Sequence, residues 1–129
     1  MTTERGKTMT KGLLIPFDDT LPVMEVEFNG LDDMYRLIGC DTVDRMVTED
    51  VTFWMDDEGL LRSDAGERVN ARAMELFASL TGHALNDFSV PLVGNYLLDG
   101  PCDDEGNETD IPERIKDFHY TWTAARSRR

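Results

Sequence analysis

The chain has few of the residues that build metal centres or covalent cross-links. It contains two cysteines and two histidines in 129 residues. Cys40, Cys102, His83 and His119 are all far apart in sequence, whereas zinc ligands usually come in closely spaced pairs. We therefore expect no structural zinc and no other cofactor. The two cysteines show no disulfide framework, so reduced thiols in a cytosolic setting are expected.

Long apolar runs are also lacking. No stretch approaches the roughly 20 residues that a membrane-spanning helix needs. The polar N-terminus lacks the apolar core of a secretory signal. The sequence therefore predicts a soluble, intracellular protein without a membrane partner, and its 129 residues favour one domain with its own core.

Basic residues are scarce in most of the chain. Residues 11–110 contain 23 acidic and six basic side chains, a net charge of −17, whereas residues 111–129 have a net charge of +3. An acidic body repels phosphates and attracts basic partners, which makes direct nucleic-acid binding unfavourable. The aromatic and basic C-terminal residues leave two further possibilities open: contact with nucleic acid, or docking on the acidic body.

Catalytic groups do not form a familiar pattern. Cys40 follows a glycine at a predicted helix end, where nothing lowers the pKa of its thiol. The chain has no phosphate-binding loop and no dinucleotide fingerprint. The sequence thus predicts no catalytic residues. An enzyme or small-ligand protein with a pocket between the central helix and the strand over residues 51–55 is the alternative.

An acidic loop over residues 99–110 is the clearest candidate for a metal site. Aligning Gly106 with the loop glycine of an EF-hand places Pro101 and Pro112 at the first and last ligand positions, where neither can act as a side-chain ligand. The pattern therefore predicts a solvated turn rather than a calcium site.

The strongest structural signals lie between residues 69 and 100. Apolar residues at a period of 3.6 predict a helix that begins after the N-cap Asn70 and ends at Gly82. Arg72 and Glu75 are expected on its solvent side. A nearly continuous apolar run over residues 88–98 then predicts a buried strand, which a proline and a glycine interrupt.

The remaining patterns predict an α+β fold: a mostly antiparallel sheet with two main helices packed on one face and a short C-terminal helix. Strands are expected at 12–15, 23–28, 41–47 and 51–55, with Leu60 and Leu61 resuming the last, and further helices at 31–38 and 111–118. The predicted organisation is a disordered arm (1–10), a single domain (11–118) and a basic, aromatic tail (119–129).

Several short sequence motifs of this chain occur in the same order in a known protein family. They are Lys11-Gly12-Leu13-Leu14-Ile15-Pro16, Gly30-Leu31-Asp32, Ile38-Gly39, Trp54-Met55-Asp56-Asp57-Glu58-Gly59-Leu60, Asn70-Ala71-Arg72-Ala73, Val93-Gly94-Asn95, Asp103-Asp104-Glu105-Gly106 and Asp110-Ile111-Pro112. Over roughly residues 11–113 the chain resembles a family of small proteins from phages and actinobacteria, the domain of unknown function numbered 3846. The resemblance implies a phage or mobile-element origin and a setting in the host cytoplasm.

These observations lead to the hypothesis of a small, acidic, non-enzymatic phage-type accessory protein that binds a host protein. In a more specific version it is a DNA mimic, whose carboxylates imitate phosphates for a DNA-binding factor. The candidate interaction residues are Asp56, Asp57, Glu58, Asp103, Asp104, Glu105 and Trp122. An exposed aromatic residue of the tail would allow a homodimer as well as a monomer.

Overall fold

The computed structural model describes residues 9–82, 88–103 and 107–116. The elements are β1 Thr10–Ile15, β2 Met24–Phe28, α1 Gly30–Ile38, β3 Val43–Val47, β4 Thr52–Asp56, α2 Ala71–Thr81 and β5 Tyr96–Asp99. Short 3-10 helices occupy Gly59–Leu61 and Ala65–Arg68, and residues 113–116 are helical. Within these ranges, none of the helices is both long and apolar enough to cross a membrane.

The five strands form one antiparallel sheet in the order β2-β1-β5-β4-β3. The hairpins β1–β2 and β3–β4 form between strands that are adjacent in sequence. The last strand, β5, inserts between the two hairpins and joins them. The α+β class is therefore confirmed, with a mostly antiparallel sheet, two main helices and a short C-terminal helix.

The placement of the two helices differs from the expectation of a single covered face. Neighbouring strand residues point to opposite faces of a sheet. Phe53 of β4 packs in the cluster that contains Leu76 of α2, whereas Trp54 packs in a second cluster with Met34 and Ile38 of α1. The helices thus cover opposite faces, and β4 is buried on both sides.

Strand β5 is shorter than the apolar run over residues 88–98 suggests. Gly94 has a φ of +83°, a left-handed conformation that glycine adopts without strain, and Val93 makes only an isolated bridge with Val69. Pro91 has no amide hydrogen to contribute to a ladder. Regular pairing therefore begins only at Tyr96.

Leu60 and Leu61 do not resume a strand, so that expectation is wrong. The amide of Leu61 donates to the carbonyl oxygen of Glu58 at 3.0 Å, which closes a helical turn directly after β4. The chain consequently leaves the sheet at Asp56 and places two leucines at the surface, 54% and 82% exposed.

Asn70 fixes both the start of α2 and its position on the sheet. Its Oδ1 accepts a hydrogen bond from the amide of Ala73 at 3.0 Å, which confirms the predicted N-cap. Its Nδ2 donates to the carbonyl oxygens of Ile15 and Gly94, both at 2.9 Å. Because Asn70 is fully buried, these bonds join the helix to two separate segments in a water-free environment.

Arg72, expected on the solvent side of α2, is buried. Only 9% of it is exposed, because the first turn of α2 packs against the segment that follows β1. Its Nη2 donates to the carbonyl oxygens of Pro16 at 2.7 Å and Asp18 at 3.0 Å. Its burial also removes one of the few cations from the surface of the acidic body.

The C-terminal segment is attached to the beginning of β1. The amide of Lys11 donates to Oδ1 of Asp110, and the amide of Ile111 donates to the carbonyl oxygen of Lys11, both at 2.9 Å. Ile111 and Ile115 are buried in the cluster beneath α2. Residues 1–8 and 117–129 lie outside the described residues, so the arm, the tail and the end of the predicted helix remain predictions.

Candidate functional site

The β3–β4 hairpin brings two acidic segments together. Val43 pairs with Asp56, and the amide of Asp57 donates to the carbonyl oxygen of Thr42 at 3.1 Å. This register places the residues just before β3 beside those that end β4. We call the resulting group the acidic patch; its members are Asp41, Asp44, Asp56, Asp57 and Glu58. All are exposed except Asp56, which is half-buried.

A cavity of about 350 Å³ opens on one side of this patch, between the end of α1 and the turn after β4. It is lined by Gly39, Cys40, Asp41, Asp56, Glu58, Leu61 and Arg62. The guanidinium of Arg62 is already bound to Asp64, with Nε 2.9 Å from Oδ1. The C-terminal end of a helix carries partial negative charge, so the cavity favours cations over anions.

The thiol of Cys40 borders this cavity. Burial and the nearby carboxylate of Asp56 raise its pKa to about 11, with a smaller contribution from Asp41. A thiol with this pKa is protonated at neutral pH and is a poor nucleophile. The environment of Cys40 thus has the opposite character to that of a catalytic cysteine. His83 lies outside the described residues.

A second, smaller concavity lies on the α2 face of the sheet, beside the edge strand β3. Its volume is about 210 Å³. We call it the apolar groove; its apolar lining is Met46, Met55, Leu60, Val90, Pro91, Leu92, Val93 and Tyr96, and its acidic lining is Asp44, Asp56 and Asp57. Two of its apolar residues, Leu60 and Val90, are more than half exposed, at 54% and 53%.

The space between α2 and β4, where the alternative hypothesis expects a ligand pocket, is filled by side chains. Phe53 and Phe77 meet edge to face with ring centroids 5.4 Å apart. Ala73 and Leu76 pack in the same cluster. Both concavities described above lie outside this interface.

Asp99 is a buried carboxyl group, although the sequence predicts a solvated acidic loop over residues 99–110. It is the last residue of β5 and is only 1% exposed. Its Oδ1 accepts a hydrogen bond from Nε1 of Trp54 at 3.1 Å, while its Oδ2 has no hydrogen-bond partner among the described residues. Burial raises the pKa of Asp99 to about 7, and the negative charge of Glu108 adds to the effect.

The remaining predicted site residues do not join the acidic patch. Asp103 is exposed and accepts a hydrogen bond from the amide of Asn107 at 2.9 Å. It lies four residues after Asp99, which pairs with Thr52 at the opposite end of β4 from Asp56. Asp104, Glu105 and Trp122 lie outside the described residues. Among the residues described, no group of His, Cys, Asp and Glu side chains is placed to hold a metal ion.

The fold and these surfaces define a small antiparallel α+β protein whose concave surfaces are bordered by carboxylates. The chain belongs to the family described as a domain of unknown function (DUF3846), whose model matches residues 9–123. The resemblance seen in the short motifs is thereby confirmed. No curated protein and no solved structure matches the chain.

Proposed function

We propose that this protein is a non-enzymatic module that binds a basic partner protein through the acidic patch. The observation that carries the proposal is the convergence of five carboxylates, from two separate segments, around two concavities. Nearby cations are already engaged: Arg62 is bound to Asp64, and the guanidinium of Arg45 lies 5.6 Å from the centroid of the Trp54 ring. Five carboxylates against these two guanidinium groups leave the patch with a net negative charge.

The kind of partner follows from this charge. Carboxylates on a surface steer positively charged molecules and repel phosphates, so a protein with a basic surface is favoured over a nucleic acid. DNA-binding proteins carry such surfaces because they neutralise phosphates. The more specific form of the proposal is therefore DNA mimicry. In this form of the proposal the protein is of phage type and acts in the cytoplasm of a host cell. Its partner would be a DNA-binding factor of that host.

A second candidate function is the binding of a small cationic ligand. The cavity of about 350 Å³ beside Cys40 falls within the range of roughly 300–1,000 Å³ that is common for ligand sites. Its carboxylates and the C-terminal end of α1 favour an amine or guanidinium group. Thermal-shift screening of the full chain with a panel of amines tests this function. A stabilisation that disappears in an Asp41→Asn variant would support it.

The leading proposal is tested by affinity capture from host lysate at low and high salt, with the bound proteins identified by mass spectrometry. We expect one dominant basic protein that is lost at high salt, because screening weakens exposed charge pairs. Addition of duplex DNA should release a partner that uses its DNA-binding surface. Capture that resists high salt would count against an electrostatic interface.

A matched pair of variants separates the acidic patch from the net charge of the whole protein. The patch variant carries Asp41→Asn, Asp56→Asn, Asp57→Asn and Glu58→Gln; the control variant carries Glu27→Gln, Asp32→Asn, Glu49→Gln and Glu67→Gln, all exposed residues away from the patch. Both lose four negative charges. The patch variant should capture much less of the partner than the control variant. Equal loss in both would show that only net charge matters and would overturn the assignment of the site.

A further inference from the structure

We propose that the apolar groove is the docking site for the C-terminal segment of the same chain, residues 117–129. The groove has an apolar floor, and its Leu60 and Val90 side chains are more than half exposed. Covering such surface is favourable. Its rim carries Asp44 and Asp57, which are both exposed. An occupant must therefore combine a large apolar group with positive charge.

The C-terminal segment has this composition. Tyr120 and Trp122 supply aromatic rings, and Arg126, Arg128 and Arg129 supply three guanidinium groups. The groove volume of about 210 Å³ is below the roughly 300–1,000 Å³ typical of ligand pockets. It suits one large side chain better than a small-molecule ligand. Trp122 inside the groove would leave the arginines free to pair with the carboxylates of the rim.

The described chain ends on the same face of the sheet as the groove. Ile115 is 1% exposed and belongs to the core cluster that also contains Met55, Leu92 and Tyr96. These last three residues line the groove from below. The C-terminal segment thus starts on the correct side of the sheet and does not have to cross an edge to reach the groove.

The segment is long enough to cross the width of the sheet. Nζ of Lys116 lies 3.5 Å from Oε1 of Glu25, which is on β2 at the far edge of the sheet from β3. Four strand spacings of about 4.8 Å give a width of about 19 Å. Six extended residues from Lys116 to Trp122 span about 20 Å. The arginines further along have length to spare.

Docking by side chains is favoured over addition of a new strand to β3. Thr42 forms a hydrogen-bonded pair with Asp57, and Thr48 forms one with Val51. The alternation of an antiparallel ladder therefore directs the backbone groups of Val43, Arg45 and Val47 to the open edge. The amide of Arg45 already donates to Oδ1 of Asp44 at 2.8 Å. Since one edge donor is taken by the protein's own side chain, strand pairing there is hindered.

This inference does not depend on the identity of any partner. It adds a consequence to the proposed function, because a docked segment neutralises part of the acidic patch and a basic partner would have to displace it. Autoinhibition of this kind is reciprocal: a partner that binds the patch lowers the affinity of the segment for the groove by the same factor.

The test uses the ¹⁵N-labelled full chain and follows the indole N–H resonance of Trp122, assigned with a Trp122→Phe variant. The reference is a synthetic peptide of residues 117–129. We expect the resonance of the chain to differ from that of the peptide. The variant Leu60→Lys should return it to the peptide value. Salt at about 1 M, where the Debye length is about 3 Å, should shift it towards that value, because the pairs between the arginines and the carboxylates of the rim are screened.

The matched control is Leu61→Lys, which makes the same chemical change at the next residue, 82% exposed and outside the groove. It should leave the Trp122 resonance unchanged, and the Trp54 resonance should report an intact fold in both variants. A resonance that coincides with that of the free peptide in the unmodified chain overturns the inference. Equal effects of the two lysine variants would also overturn it. So would a Trp122 resonance whose position depends on protein concentration, because that dependence would indicate docking between copies.

Discussion

Replacing Asp99 by asparagine should stabilise the protein at neutral pH but not at acidic pH. The Asp99 carboxyl is 1% exposed, and one of its oxygens has no hydrogen-bond partner among the described residues. Asparagine keeps an oxygen that can accept the hydrogen bond from Trp54 and carries no charge. The substitution therefore removes the cost of a buried carboxylate while it largely preserves the local packing.

The size and direction of the effect follow from the pKa of Asp99. It is about 7 in the folded chain, against an ordinary value of 3.8. Between these pH values the folded state holds a proton that the unfolded state has released. The free energy of unfolding therefore falls as the pH rises through this window. A pKa difference of about 3 corresponds to about 4 kcal/mol, which is an upper bound on the gain of the variant above pH 7.

Urea unfolding of both proteins at pH 4 and pH 8 measures this difference, because the titration of all other groups cancels between them. We expect the Asp99→Asn variant to match the unmodified chain within about 1 kcal/mol at pH 4 and to exceed it by several kcal/mol at pH 8. A Leu61→Ala variant, which changes an exposed residue without a titratable group, should show the same difference at both pH values. A stability difference for Asp99→Asn that is the same at both pH values would refute the reasoning.

Three further predictions concern the fold and the cavity. Asn70→Ala removes the N-cap and leaves the buried carbonyl oxygens of Ile15 and Gly94 without their donor. Urea unfolding should therefore show that the free energy of unfolding falls by about 3 kcal/mol or more. A fall below about 1 kcal/mol would contradict the role given to this side chain. Gly12→Ala should lower the free energy of unfolding by about 1–3 kcal/mol, because a Cβ there would collide with the carbonyl oxygen of Leu98. In the control Gly66→Ala the added Cβ meets no neighbouring atom, so the same measurement should show no change. The pKa of Cys40 rises from 9.0 to about 11. Below pH 9 its thiol should therefore be alkylated roughly a hundredfold more slowly than that of an ordinary cysteine. If mass spectrometry showed alkylation of Cys40 at the ordinary rate, the described environment would be contradicted.

The local elements were largely predictable, because each depends on signals within a short stretch. The 3.6-residue period and the caps Asn70 and Gly82 delimit α2 within a residue. The hairpin of β1 and β2 was predictable from the alternation within residues 23–28 and the short connection between the two strands. The predicted interruption of the 88–98 run was likewise correct, since Gly94 and Pro91 act through backbone geometry alone.

The positions of the helices required information that no single element contains. Residues 51–55 contain four apolar side chains and one threonine, a composition that indicates a strand covered on both faces. This signal was available and argues against two helices on one face. By contrast, Arg72 looks solvent-facing on a helical wheel, and it is buried only because the segment after β1 folds over it.

The acidic patch was predictable in part. Asp56, Asp57 and Glu58 were identified from sequence, and the hairpin register then adds Asp41 and Asp44 from the preceding segment. The burial of Asp99 was not predicted, because an acidic residue that is followed by further acidic residues indicates an exposed loop. Its burial arises from β5 entering the centre of the sheet, a long-range event that neighbouring residues do not encode.

The central claim is that the acidic patch forms the partner interface, and the salt dependence of partner affinity tests it most directly. The dissociation constant of the captured partner would be measured across a salt series for the unmodified chain, the patch variant and the charge-matched control variant. Exposed ion pairs contribute a few tenths of a kcal/mol each, so removal of four should weaken binding about tenfold at low salt. It should also flatten the dependence of the logarithm of the dissociation constant on salt concentration, while the control keeps the original slope. Identical slopes and affinities for the patch and control variants would contradict the claim.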